Sequence, residues 1–153
     1  MLHGLALLAG VVAGSRVFTA LAAVSWAARS GALNLDGSWL AFMGYAWTPW
    51  IFTLLAIVEL VTDQLPSTPS RKVPMQFGAR IVSGALSGAT IGVSAGSWII
   101  GLIAGVIGAV IGTFGGAEIR ASMAKAFGRD TPAALIEDAG AIILGLIVIW
   151  TLR

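Results

Sequence analysis

Apolar residues run through this chain in long blocks, and polar positions gather in short clusters between them. Five blocks run from Gly4 to Ala27, Trp39 to Thr62, Gln76 to Ala95, Ser97 to about Gly116, and Ala133 to Leu152. Each is long enough to be read as a membrane-crossing helix, because about 20 apolar residues span a hydrocarbon core of roughly 30 Å. Only Ala95-Gly96-Ser97 separates the third block from the fourth, so that junction is a tight turn or a kink. The pattern predicts an all-α, polytopic transmembrane bundle of about five spans forming one domain over residues 1–153, with four spans if one block is re-entrant.

Small residues recur inside these blocks at helical spacing. Gly84, Gly88, Gly92 and Gly96 stand four apart and share one stripe of a helix. Gly101, Gly105, Gly108, Gly112 and Gly116 repeat the device in the fourth span, and Gly10 with Gly14 in the first. In lipid, close backbone approach at small residues is what draws helices together. The stripes therefore predict close helix packing at Gly84, Gly88, Gly92, Gly101, Gly105, Gly108 and Gly112, and a homo-oligomer, most simply a dimer.

Composition agrees with the blocks: 58% of the 153 residues are hydrophobic and 10% charged, against about 25% charged in an ordinary soluble domain. Too few polar side chains exist to cover a water-soluble globule. Cysteine is absent, which excludes disulfides, thiolate metal sites and a cysteine nucleophile. There is no Ser/His/Asp or zinc-ligand grouping, the lone His3 suits no site, and the net charge of +2 gives no reason to expect nucleic acid. The stretch after Met1 lacks the basic start of a secretory signal and reads as a retained helix.

Lysine and arginine set the expected orientation, because basic short loops stay in the cytoplasm. Arg71 and Lys72 follow the second span, and Arg120, Lys125 and Arg129 follow the fourth. With five spans these loops share a side with the amino terminus, which is therefore expected in the cytoplasm. Trp26, Trp39, Trp98 and Trp150 fall near the outer ends, with Trp47 and Trp50 deeper in the second span.

Against so apolar a background, ionisable residues within spans are candidates for function. Arg16 sits near the middle of the first span within Gly14-Ser15-Arg16-Val17. A cost of about 2.5 to 3.5 kcal/mol for arginine at mid-membrane requires it to face protein or water. Glu59 and Asp63 are four apart and share a helical face, and such a carboxylate pair needs a cation, an arginine or a shared proton between them. Arg80 opens the third span, Glu118 lies near Arg120 at the end of the fourth, and Thr131-Pro132 starts the fifth just before Glu137 and Asp138. Arg16, Glu59, Asp63, Arg80, Glu118, Glu137 and Asp138 are expected to converge in the inner half of the bundle. A purely structural salt-bridge network accounts for the same residues.

The combination of Ala13-Gly14-Ser15-Arg16, the run from Glu59 through Asp63-Gln64-Leu65-Pro66-Ser67-Thr68-Pro69-Ser70-Arg71, Ala79-Arg80 with Ser83-Gly84-Ala85, and Glu137-Asp138 resembles a bacterial membrane family known as domain of unknown function 4126. The resemblance covers nearly the whole chain and implies a polytopic protein of the bacterial inner membrane, without implying an activity. Separately, Gly4-Leu5-Ala6-Leu7-Leu8-Ala9-Gly10-Val11 and Gly101-Leu102-Ile103-Ala104-Gly105-Val106 are alike. In a five-span map they would run in opposite directions, as in the inverted repeats of transporters.

Three functions fit. The first is a small transporter or flippase in which Arg16 and Arg80 attract an anionic or lipid-linked substrate while carboxylates handle protons or a coupling cation. The second is a membrane-embedded enzyme on a lipid-linked phosphate, with Mg²⁺ on Glu59, Asp63, Glu137 and Asp138 and the phosphate on Arg71 or Lys72. The third is an assembly protein without substrate. Transport is the leading expectation, an enzyme is less expected, no cofactor is evident, and Glu59 with Asp63 is only a weak metal candidate.

Overall fold

The computed structural model describes residues 1–65 and 72–153, so Arg71 and the Pro66-to-Ser70 part of the family-like loop lie outside the described residues. Among the described residues the structure is all-helical: α1 Leu2–Ser15, α2 Val17–Arg29, α3 Thr48–Thr62, α4 Pro74–Ser94, α5 Trp98–Phe127 and α6 Asp130–Leu152, with a 3₁₀ turn at Ala41–Gly44 before α3. Two helices, α5 and α6, are long and apolar enough to cross a membrane. The apolar helices α1, α2 and α3 have 14, 13 and 15 residues. At 1.5 Å per residue each reaches only about 20 Å.

The expected first span, Gly4 to Ala27, is corrected to two helices. Arg16 breaks it with one extended residue (φ −141°, ψ 112°), and the chain doubles back there. Contacts along the helices fix the directions. Gly10 packs on Gly105 and Gly14 on Gly112, so α1 runs parallel to α5. Gly84 meets Gly105, Gly88 meets Gly101 and Gly92 meets Ser97, so α4 and α5 are antiparallel. Ser83 bonds the carbonyl of Val17, and Ser94 that of Asn34 beyond the end of α2, so α2 runs parallel to α4 and opposite to α1. Helices α1 and α2 thus form a hairpin that enters and leaves the bundle at the same end, its tip at Arg16.

Glycine makes the hairpin's seat. A Cβ on Gly84 would lie 2.6 Å from the Gly105 carbonyl oxygen and 2.7 Å from the Ala109 methyl, and one on Gly92 would lie 2.8 Å from the Gly101 Cα. Gly108 and Gly112 meet the backbone of α1 at Leu7, Gly10 and Val11. The α4 and α5 stripes therefore face each other and α1 within one chain, and no second copy is needed to cover them. Gly96 (φ +83°) closes the α4–α5 connection as a turn, the left-handed conformation being open to glycine at no steric cost.

Other expected boundaries shift. The second span begins at Thr48 rather than Trp39, because residues 39–47 form the 3₁₀ turn and its flanks. The fourth continues past Gly116 to Phe127, where Gly128 (φ +67°) caps it. The fifth starts at Asp130 with Arg129 at the N-cap position, not Thr131.

Two corrections follow for the whole bundle. Trp47 and Trp50 are not deep: all six tryptophans lie near one end, where Trp26 meets Trp50 at 5.0 Å and Trp39 meets Trp98 at 5.9 Å between ring centroids. Both chain termini share that end. Lys72, Lys125 and Arg129 lie at the opposite end of the bundle from the amino terminus, because the first block turns back at Arg16 and does not run through the bundle. The two similar Gly/Leu/Ala stretches belong to α1 and α5, which are parallel neighbours, so they are not related as an inverted repeat.

Candidate functional site

The hairpin tip exposes two sets of backbone groups that a continuous helix would have paired with each other. At such a break the last carbonyls of one helix and the first N–H groups of the next need other partners. Here side chains supply them. Glu59, near the end of α3, accepts from the N–H of Val17 at 2.7 Å and of Phe18 at 2.9 Å, one on each oxygen. Arg80, in the second turn of α4, donates to the carbonyls of Gly14 at 2.9 Å and Ser15 at 2.6 Å. The Thr113 hydroxyl adds a bond to the Gly14 carbonyl at 3.3 Å, and Ser83 donates to the Val17 carbonyl at 2.6 Å. A carboxylate on a helix N-terminus and a guanidinium on a C-terminus each match the helix dipole.

Arg16 itself is wholly buried. Its Nε donates to Asp138 Oδ1 at 2.7 Å, and its Nη2 bonds the same oxygen. Its Nη1 pairs with Asp63 Oδ2 at 2.8 Å and donates to the Ser15 carbonyl at 3.0 Å. Gln64 Nε2 donates to the other oxygen of Asp138 at 2.8 Å. Glu137 stands between two arginines, 3.8 Å from Arg16 Nη2 and 3.4 Å from Arg120 Nη1, and Arg120 also holds Asp130 with its Nε at 3.0 Å. The tip thus draws groups from α1 to α6.

Of the residues singled out from the sequence, Arg16, Glu59, Asp63, Arg80, Glu137 and Asp138 meet at the tip. Glu118 does not: it is exposed and lies 3.7 Å from Lys72, because α5 carries it on a face turned away from α1 and α6. Glu59 and Asp63 share a face but point to different partners, one to α2 amides and the other to Arg16. Among the described residues no group of three or more His, Cys, Asp or Glu side chains is arranged to hold a metal ion.

Gln64, Ser83, Thr113 and Arg120 were not among the expected site residues. Ser83 had a legible signal, since it lies one turn from Arg80 on the glycine-bearing side of the helix. Thr113 had only its polarity within an apolar run.

No family model, curated protein or solved structure matches this chain.

Proposed function

We propose that this chain is a small multi-pass protein of the bacterial inner membrane that moves an anionic or lipid-linked small substrate, with the hairpin tip as its site. The observation that carries the reading is the buried N-terminus of α2, whose two leading N–H groups hold the carboxylate of Glu59. Helix N-termini are anion sites, and transporters present broken-helix ends to anionic substrate groups near the membrane midplane. Glu59 stands where a substrate carboxylate or phosphate would be received, with Arg16 and Arg80 beside it. The family resemblance supports the bacterial setting. The basic end then faces the cytoplasm and the tryptophan end the outside.

A second reading, an assembly protein whose network only fastens the hairpin, is favoured by the mutual pairing of Arg16, Asp63 and Asp138. An Mg²⁺-dependent enzyme has less support, because Glu59 and Asp63 already serve backbone amides and Arg16.

The test is flux of anionic solutes and of fluorescent anionic lipids in proteoliposomes, with Arg16→Lys and Arg80→Lys variants. Lysine keeps the charge and loses the planar fork. Loss of about tenfold in flux with helicity and thermal midpoint retained supports transport. Flux in the native protein no greater than in empty liposomes gives the assembly reading.

A further inference from the structure

Beside the hairpin tip, between α1, α5 and α6, lies an open cleft of about 340 Å³, within the usual range of roughly 300 to 1,000 Å³ for small-ligand sites. Its walls are almost wholly apolar, with Val11, Val12, Ile111 and Leu144 at one end and Ile119 and Met123 at the other. Ser15 and Glu137 also line it. Both belong to the tip, so cleft and tip are continuous.

We propose that this cleft holds one hydrocarbon chain of an anionic phospholipid-type amphiphile, with its phosphate at Arg120. The proposal deepens the transport reading and rests on the membrane setting that reading assumes. Length argues for a hydrocarbon chain. From Arg120 to Ile111, α5 advances about 14 Å at 1.5 Å per residue, close to the depth of one leaflet, about 15 Å as half of a core of roughly 30 Å. The direction is also that of a lipid chain, running from the basic end of the bundle toward its middle. Room is present as well, since a Cβ on Gly115 or Gly140 would meet nothing within 4 Å.

Charge chooses the headgroup. Arg120 follows the lining residue Ile119 and pairs with the lining residue Glu137; its side chain is 17% exposed and its other partner, Asp130, 62% exposed. A phosphate arriving at that end meets a guanidinium fork suited to bidentate binding and takes the place of an exposed carboxylate. At the same end Lys72, Lys125 and Arg129 outnumber the exposed carboxylates Glu118 and Asp130, which favours anionic headgroups there. Glu137 links the two regions, because it is shared between Arg120 and Arg16. Drawing Arg120 toward a phosphate loosens one carboxylate at the tip.

The experiment uses the full chain in vesicles containing phosphatidylglycerol with a photoactivatable group midway along one acyl chain, with labelled positions read by peptide mass spectrometry. Labelling is expected on α5 around Ile111 and Gly115 and on α6 around Gly140 and Leu144. Gly140→Leu fills the cleft and is expected to lower this labelling about tenfold with the thermal midpoint retained. Gly78→Leu, at another position where a Cβ meets nothing, leaves labelling unchanged. Arg120→Gln is expected to erase the preference for phosphatidylglycerol over a phosphatidylcholine analogue. Equal labelling by the two lipids in the native protein, labelling indifferent to Gly140→Leu, or a disulfide between copies of a Gly140→Cys variant that excludes the lipid overturns the proposal. Cleft labelling without flux sinks transport alone, and flux without cleft labelling sinks this proposal alone.

Discussion

Glu59 shows how much a single side chain carries in this molecule. Its two oxygens satisfy two buried N–H groups that have lost their helical partners. Leaving a buried donor unsatisfied costs about 1 to 3 kcal/mol. Glu59→Ala is therefore expected to lower the thermal midpoint in detergent markedly, and Glu59→Gln, which retains one acceptor oxygen, by less. Equal midpoints for the native protein and Glu59→Ala would show that the amides find other acceptors. Arg16 is a less informative position for truncation, because removing it takes the arginine partner from Asp63 and Asp138 at once, although Asp138 keeps Gln64 and Glu137 keeps Arg120, and breaking a buried pair costs about 3 to 5 kcal/mol. For that reason the flux test keeps a cation there. These roles were partly legible: a lone arginine in an apolar block requires carboxylates. Which carboxylate would pair with Arg16 and which would cap α2 was not, since Glu59 and Asp63 share a helical face and differ only in which partner lies opposite.

At the scale of elements, the glycine stripes could be read in the sequence, but what they pack against could not. The stripes of α4 and α5 consume each other and the open face of α1, so their consequence is intrachain. Gly88 meets backbone on the facing helix, while Gly115 opens on the cleft. Overpacking of a tight contact costs about 1 to 3 kcal/mol or more where backbone cannot yield. Gly88→Val is expected to destabilise the fold or prevent its recovery, whereas Gly115→Ala leaves the thermal midpoint nearly unchanged. Comparable losses at both positions, measured by thermal unfolding in the same detergent, would argue against this seam. The same scale explains why the first span was expected whole. Twenty-four residues from Gly4 to Ala27 are apolar enough to cross, and no proline marks the break. The reversal at Arg16 exists because side chains from three other helices pair the freed backbone groups, Glu59 accepting from the N–H groups of α2 and Arg80 and Thr113 donating to the last carbonyls of α1.

For the molecule as a whole, the reversal at Arg16 decides which groups share an end of the bundle. Six tryptophans gather at the end that carries both termini, and Lys72, Lys125 and Arg129 at the other. Since the chain has no cysteine, single-cysteine variants report topology cleanly. In the inner-membrane setting proposed above, Ser38→Cys and a cysteine appended to the amino terminus are expected to react with an impermeant maleimide from the outside of intact cells, and Lys125→Cys only after the membrane is opened. Reaction of the amino-terminal cysteine together with Lys125→Cys would restore the orientation expected from five spans.

The sequence by itself determined a helical, strongly apolar chain, the stripes that let helices touch, and a set of ionisable residues that need partners against so apolar a background. These follow from composition and from the helical period, which are local properties. Only the tertiary structure decided that the first apolar block folds back on itself, that Glu118 stays at the surface, and that a cleft opens beside the tip. Each depends on which groups stand across from one another, and a break in a helix costs little only where distant side chains replace the hydrogen bonds it gives up.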